Sequence, residues 1–200
     1  MTTLKSKLEI NPQAMMTTDM FQWIGDNLNP KNGPILEFGS GYGTHVLVDL
    51  GFTVVSVEED KYWCDKYHDN YVYAPLDKRT GWYDVEKLKE AFTPHKHTAD
   101  EQGWSCVIID GPTSDRSGIL PHLDYFGIGK SAVVVDDVGR TENQTLLDTL
   151  RSKIIQTRQA HVNSKEWAEA NKAYIKRYME GAEGYVRSSV WQSNEAAIII

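Results

Sequence analysis

Apolar and polar positions along the chain fall into two alternating rhythms. Over residues 15–28, Met16, Met20, Trp23, Ile24 and Leu28 recur at helical spacing, and Asn29-Pro30 stops the run. The apolar pair Ile35-Leu36 then leads through Glu37 into three alternating glycines, Gly39, Gly41 and Gly43. A helical run over residues 45–50 follows and ends at Gly51. Residues 52–57 (FTVVSV) are rich in β-branched types and end in Glu58-Glu59-Asp60. The pattern predicts strand, tight glycine turn, helix and strand, a βαβ unit. Glycines at such a turn let the backbone bend sharply and come close to a ligand. The helix N-terminus beyond them offers unpaired N–H groups to a polar or anionic group.

Downstream, residues 60–70 read as a helix carrying Tyr62, Trp63 and Tyr67, and residues 71–74 as a short third strand. Thr80-Gly81 is a turn, and residues 84–92 form a helix with Val85, Leu88 and Phe92 on one face. Residues 93–103 read as a polar loop, with His95 and His97 solvated rather than metal-bound. Residues 104–110 (WSCVIID) are continuously apolar, as in a strand covered on both faces. A short helix is expected over 120–126, then a fifth strand over 131–135 (SAVVV) ending in Asp136-Asp137. Thr141 and Gln144 have capping-box spacing and open a helix that buries Leu146, Leu147, Leu150 and Ile154. Residues 164–179 read as helical, and 185–191 and 196–200 as two strands joined by QSNE. No internal repeat or boundary divides the chain, so residues 1–200 are expected to form one α/β domain, with 1–30 as a helical lead-in.

Composition narrows the partners. Forty per cent apolar and 24% charged residues is ordinary for a globular chain. A net charge of −7 argues against nucleic acid as the main partner, and no basic stripe offsets it. Cys64 and Cys106 sit in apolar or aromatic settings and read as buried free thiols, which fits a reducing compartment. The first 13 residues lack the apolar core of a signal peptide, and no stretch reaches membrane-span length. The expectation is a soluble cytoplasmic protein with no membrane partner.

Glu58 lies nineteen positions after Gly39. An acid ending the second strand is where nucleotide-binding α/β folds hold ribose hydroxyls. The dinucleotide fingerprint needs glycine at its sixth position; this chain has Thr44 there, with the third glycine one residue early. Glu37-x-Gly39-x-Gly41-x-Gly43 instead resembles motif I of the class I S-adenosylmethionine-dependent methyltransferases. LEFGSGYGT, VVSVEEDKYW, IIDGP and VVVDDVGRTEN, between Ile35 and Asn143, are similar in type and order to a small bacterial branch of that family. The resemblance implies a Rossmann-like, doubly wound, mostly parallel seven-stranded sheet with a C-terminal antiparallel hairpin. It implies S-adenosylmethionine as cofactor, with the glycine loop under the methionine part and Glu58 on the ribose. Cofactor contacts would then fall on Glu37, Gly39, Ser40, Gly41, Tyr42, Gly43, Glu58 and Asp110.

Glu58, Asp110 and Asp136-Asp137 each end a predicted parallel strand. Strand carboxyl ends meet at the ligand crevice of an open α/β sheet, so these acids are expected to share one site. Clustered carboxylates raise one another's pKa and suit Mg²⁺. The acids after strands four and five are also similar to those of the catechol-type O-methyltransferases, which implies Asp110, Asp136 and Asp137 as magnesium ligands. This chain departs in having Asp-Asp where those enzymes have Asp-Asn, and Gly111-Pro112 after strand four. The alternative is that Asp110 meets cofactor or substrate directly while Asp136 and Asp137 cap the next loop. Candidate bases are Asp110, Asp136 and His122; Arg116 and Arg140 are candidates for holding an anionic substrate, or are surface charges. Tyr42, Trp82 and Tyr83 are candidate walls of the site, the last two with a core role as the alternative. The implied activity is methyl transfer to a small-molecule acceptor, on oxygen. The alternatives are an NAD-linked oxidoreductase, against which Thr44 speaks, aminopropyl transfer, and a non-catalytic module that binds S-adenosylmethionine.

Overall fold

Strand residues alternate between two covered faces, and that alternation sorts the apolar core from the polar site. The computed structural model describes residue 16 and residues 18–162, 190–192 and 196–199. Its strands are β1 (Ile35–Phe38), β2 (Val54–Glu58), β3 (Tyr71–Tyr73), β4 (Cys106–Ile109), β5 (Ala132–Asp136), β6 (Val190–Gln192) and β7 (Ala196–Ile199). They form one sheet in the order β3-β2-β1-β4-β5-β7-β6. β1 to β5 pair in parallel, and β7 runs antiparallel to both β5 and β6. This is the mostly parallel, Rossmann-like sheet with a closing antiparallel hairpin that the motifs implied.

The helices are α1 (Thr18–Asn27), α2 (Tyr42–Asp49), α3 (Val85–Phe92) and α4 (Thr141–Val162). On one face, Leu36, Phe38, Val55, Val57, Val107, Ile109, Val133 and Val135 pack with Leu88 and Phe92 of α3 and with Leu146, Leu147, Leu150 and Ile154 of α4. On the other, Ile35, Val54, Cys106, Ile108 and Val134 pack with Met20, Phe21 and Ile24 of α1 and with Val46 and Leu47 of α2. Each such aliphatic or aromatic side chain stabilises the fold by roughly 2 kcal/mol relative to exposure. The period of two places Glu37, Ser56 and Glu58 on the α1–α2 side, among polar neighbours at the strand ends.

Local chemistry overrides four expectations. Residues 60–70 form successive turns, not a helix. Asp60 Oδ1 accepts from Tyr62 N at 2.9 Å, Asp65 sits at φ 59°, and His68 Nδ1 accepts from Asn70 N at 3.0 Å. Side chains that satisfy nearby backbone groups in this way compete with helix. Residues 93–103 are two short helical turns (Thr93–His95 and Thr98–Gln102), tightened by Pro94 and ended at Gly103 with φ 73°. The short helix expected over 120–126 lies earlier, as a 3₁₀ segment over Arg116–His122 that Asp115 caps by accepting from Ser117 N at 2.8 Å, and residues 123–126 are turns. The Thr141–Gln144 box does not form: the Arg140 carbonyl accepts from Gln144 N, and the Gln144 amide donates to the Val138 carbonyl. The helix expected over 164–179 and residues 185–189 of the sixth strand lie outside the described residues. No helix among the described residues is long and apolar enough to cross a membrane.

Candidate active site

Strand register aligns the site. Phe38 pairs with Val57 and with Ile109, and Ile109 pairs with Val135. One residue further on, Glu58, Gly39, Asp110 and Asp136 fall in a single row along the carboxyl edge. The backbone confirms the row: Gly39 N donates to the Val57 carbonyl and Asp110 N to the Phe38 carbonyl, both at 2.9 Å.

The glycine turn is set by close approaches. Gly39 sits at φ 85°, and a Cβ there would lie 2.6 Å from Gly111 N and 2.7 Å from Gly111 Cα. The chain leaving β1 therefore passes in backbone contact with the chain leaving β4. At Gly43 a Cβ would lie 3.0 Å from Phe21 Cζ, so this glycine admits the α1 ring against the start of α2.

Beneath the turn lies Glu37, 3% exposed. Its Oε2 accepts from Thr44 Oγ1 at 2.8 Å and from Ser56 Oγ at 2.7 Å. Each hydroxyl extends a chain. Thr44 spends its proton on Glu37, so it accepts from Gly41 N at 3.1 Å and from Ser40 Oγ at 3.0 Å, and Ser40 in turn accepts from the Tyr71 hydroxyl at 2.9 Å. On the other side, His68 Nδ1 already accepts from Asn70 N, so the neutral ring carries its proton on Nε2 and donates to Ser56 Oγ at 2.9 Å. The His68 ring stacks on Tyr71 at 4.2 Å, closing the circuit. Burial pushes the Glu37 carboxyl up to about 8, with the Ser56 and Thr44 hydrogen bonds pulling the other way. Thr44, the residue that broke the dinucleotide fingerprint, is thus the link between Glu37 and the glycine turn.

Glu58 ties the end of β2 to the same turn. Its Oε2 accepts from Ser40 N at 2.6 Å and its Oε1 from Asp60 N at 2.7 Å. Each carboxylate oxygen has a lone pair left to accept another donor. Burial raises this carboxyl to about 7, against the pull of the backbone N–H groups of Asp60, Ser40 and Glu59. Next to it, the buried Oε2 of Glu59 has no protein partner among the described residues, and neither does the indole N–H of Trp82. Trp82 and Tyr83 belong to the core, on the loop that returns from β3 across the strand ends and meets Ser114 through its hydrogen bond to the Gly81 carbonyl at 2.5 Å. Tyr42 keeps 36% exposure beside the turn.

Asp110, Asp136 and Asp137 converge, each with a carboxylate oxygen within 4.8 Å of the others. Arg116, 4% exposed, is threaded among them. Its Nη2 donates to Asp110 Oδ1 at 3.0 Å and Asp137 Oδ2 at 2.9 Å, and its Nη1 to the Asp136 carbonyl at 2.6 Å. Arg140 Nη2 reaches the same Asp137 oxygen at 2.9 Å. Burial raises the Asp136 carboxyl to about 7, reinforced by the charges of Asp110 and Asp137. Burial also raises Asp110, and the Arg116 charge opposes that rise. Asp137 sits at φ 54°, with its carbonyl held by Asn143 Nδ2 at 3.1 Å.

The row thus unites Gly39, Ser40, Glu58, Asp110, Asp136 and Asp137, with Glu37 directly below. His122 is not brought to it. It ends the Arg116–His122 segment, its ring makes no hydrogen bond to the acids, and burial together with the nearby Lys89 lowers its pKa. His97 pairs with Glu101, and His95 packs on Phe92. Ser56, His68, Tyr71 and Thr44 escaped sequence reading as site residues. The available signal was Ser56, a lone hydroxyl in an apolar strand on the Glu58 side of the pleat.

No family model matches the chain, and no curated protein matches it. Among solved structures it is similar to MycE, a methyltransferase from the mycinamycin biosynthetic pathway in complex with Mg and SAH, at 14% identity and a TM-score of 0.43. That match covers 92% of this chain and 48% of the other, so the chain spans about half the length of MycE. It is also similar to a protein from Staphylococcus aureus assigned as a caffeoyl-CoA O-methyltransferase, at 12% identity and a TM-score of 0.39, over 98% of this chain and 89% of the other.

Proposed function

We propose that the chain is an S-adenosylmethionine-dependent methyltransferase acting on the oxygen of a small-molecule acceptor. The observation that carries this reading is Glu58, which ends β2 in register with Gly39 and holds the glycine turn through Ser40 N at 2.6 Å. The spare lone pairs of that carboxylate suit the two hydroxyls of a ribose. Glu37 and Thr44 fix the turn from below rather than meeting the ligand themselves. Thr44, buried and bonded to Glu37, disfavours the dinucleotide alternative, whose fingerprint needs glycine there.

When bound, the cofactor would supply an electrophilic methyl group on a sulfonium, for transfer to the acceptor oxygen with the thioether as leaving group. The chain's own task is to align the acceptor and take its proton. Asp136 is the proposed base: its carboxyl, raised to about 7, is poised near neutral pH, and its side chain carries no guanidinium of its own. Asp110, paired with Arg116, stays on the acceptor side as an orienting group.

Calorimetric titration with S-adenosylmethionine, with NAD as the control ligand, tests the reading. Saturable binding of the first is expected, weakened about tenfold or more in Glu58→Ala through loss of charge-assisted hydrogen bonds. Binding of NAD alone would overturn it.

A further inference from the structure

We infer that Arg116 occupies, as a built-in monocation, the place that a divalent metal would take among Asp110, Asp136 and Asp137, so that this site works without one. The inference rests on the proposed methyl transfer for its meaning in turnover, but not for its geometry. Three acids converge here as if for magnesium. Yet Nη2 of one buried guanidinium bridges two of their carboxylates at 3.0 and 2.9 Å, and its Nη1 binds the main chain of the third at 2.6 Å. Asp137 Oδ2 receives a second guanidinium, from Arg140, at 2.9 Å. That oxygen has no lone pair left for a metal.

Charge points the same way. Three carboxylates against two guanidinium groups leave a formal excess of only one negative charge. A dication added to this arrangement would overcompensate the acids and sit within a few ångströms of two fixed positive charges. Octahedral magnesium also keeps several waters, whereas the guanidinium already fills the space between Asp110 and Asp137. The backbone fixes Arg116 in place: Asp115 caps its turn, and Ile119 on the same turn is fully buried. Guanidinium holds its charge at all working pH values, so Asp110 and Asp137 keep a permanent partner that no chelator can withdraw. Arg116 is a positioning residue. It acts by holding Asp110 and Asp137 in place and by fixing the main chain at Asp136.

The test is a titration of the full chain, without cofactor, with Mn²⁺ as a paramagnetic probe, free ion being read by electron paramagnetic resonance. Wild type is expected to show no saturable binding up to about 1 mM, the weak end of carboxylate cation sites. Arg116→Met vacates the space and should gain a site at least about tenfold tighter, lost again when Asp137→Asn is added. Arg116→Lys keeps the charge and should still exclude the ion. If Arg116→Met does not fold, as judged by circular dichroism, wild type and Arg116→Lys decide: binding by either overturns the inference, and exclusion by both supports it. Tight Mn²⁺ binding by wild type, or no gain in a folded Arg116→Met, also overturns it. Binding of S-adenosylmethionine is measured separately. Its failure removes the methyltransferase reading and leaves the cation result standing, and the reverse holds equally.

Discussion

Replacing Glu37 by glutamine isolates the ionisation of one buried carboxyl. Both of its donors, Thr44 Oγ1 and Ser56 Oγ, converge on a single oxygen, so the glutamine carbonyl can accept both. Glutamine therefore copies the protonated acid with little change in packing. Burial raises this carboxyl from 4.5 to about 8. A group raised in the fold contributes its full stability below its unfolded pKa, about 4.5, and loses it as pH climbs through the folded value. A rise of about 3.5 units at 1.36 kcal/mol each gives roughly 5 kcal/mol as the ceiling on that loss. Urea unfolding of both proteins at pH about 5, 7 and 9 reads it. The two should be similar near pH 5, and the variant should be more stable by several kcal/mol near pH 9. Glu58 and Asp136 are raised as well, but they are present in both proteins and largely cancel in the difference. A difference that stays within about 1 kcal/mol across the whole range would refute the reasoning, because the carboxyl would then be solvated or held charged by its donors.

Gly39→Ala should lower stability by about 2 kcal/mol or more, read as a fall in melting temperature, since the new methyl group meets Gly111 at 2.6 Å from a left-handed backbone. Thr44→Val removes the donor to Glu37 and the acceptor for Gly41 N; we expect about 1–3 kcal/mol of destabilisation and weaker S-adenosylmethionine binding by calorimetry. With an acceptor in hand, wild-type kcat should rise with pH through about 7 as Asp136 loses its proton, and Asp136→Asn should flatten that profile and cut kcat by about 10²–10⁴. An unchanged pH profile in Asp136→Asn would remove it as the base.

The sheet was legible because its signals are strong and local. Apolar runs ending in acids mark β2, β4 and β5, and an apolar pair leading into glycines marks β1 and its turn to α2. Register then does what sequence cannot, setting Glu58, Asp110 and Asp136 in one row although more than seventy positions separate the first from the last. The segment 60–70 was misread because its aromatic residues fall at helical spacing while Asp60, Asp65 and His68 turn the backbone locally. Arg116 was legible as a charge near the site but not as a buried one. Its burial depends on the Asp136 carbonyl and the Asp137 carboxylate at the end of a strand twenty residues away, and no local pattern encodes that. Ser56, His68 and Tyr71 share the same difficulty. Each is ordinary alone and gains its role only when β1, β2 and β3 are laid side by side.

The polar circuit through Tyr71, Ser40, Thr44, Glu37, Ser56 and His68 runs from the glycine turn to β3, the outermost strand on its side of the sheet. Outer strands are where a sheet frays first. Here fraying at β3 takes Tyr71 and His68 away and leaves the hydroxyls that brace the turn without their outer partners. The turn and the strand therefore open as one cooperative unit, and whatever binds the turn slows the exchange of amide protons in β3 with solvent. Cofactor occupancy would then be legible at a distance, as deuterium retention at Val72, the β3 amide that faces β2, in a strand with no glycine-turn residue of its own.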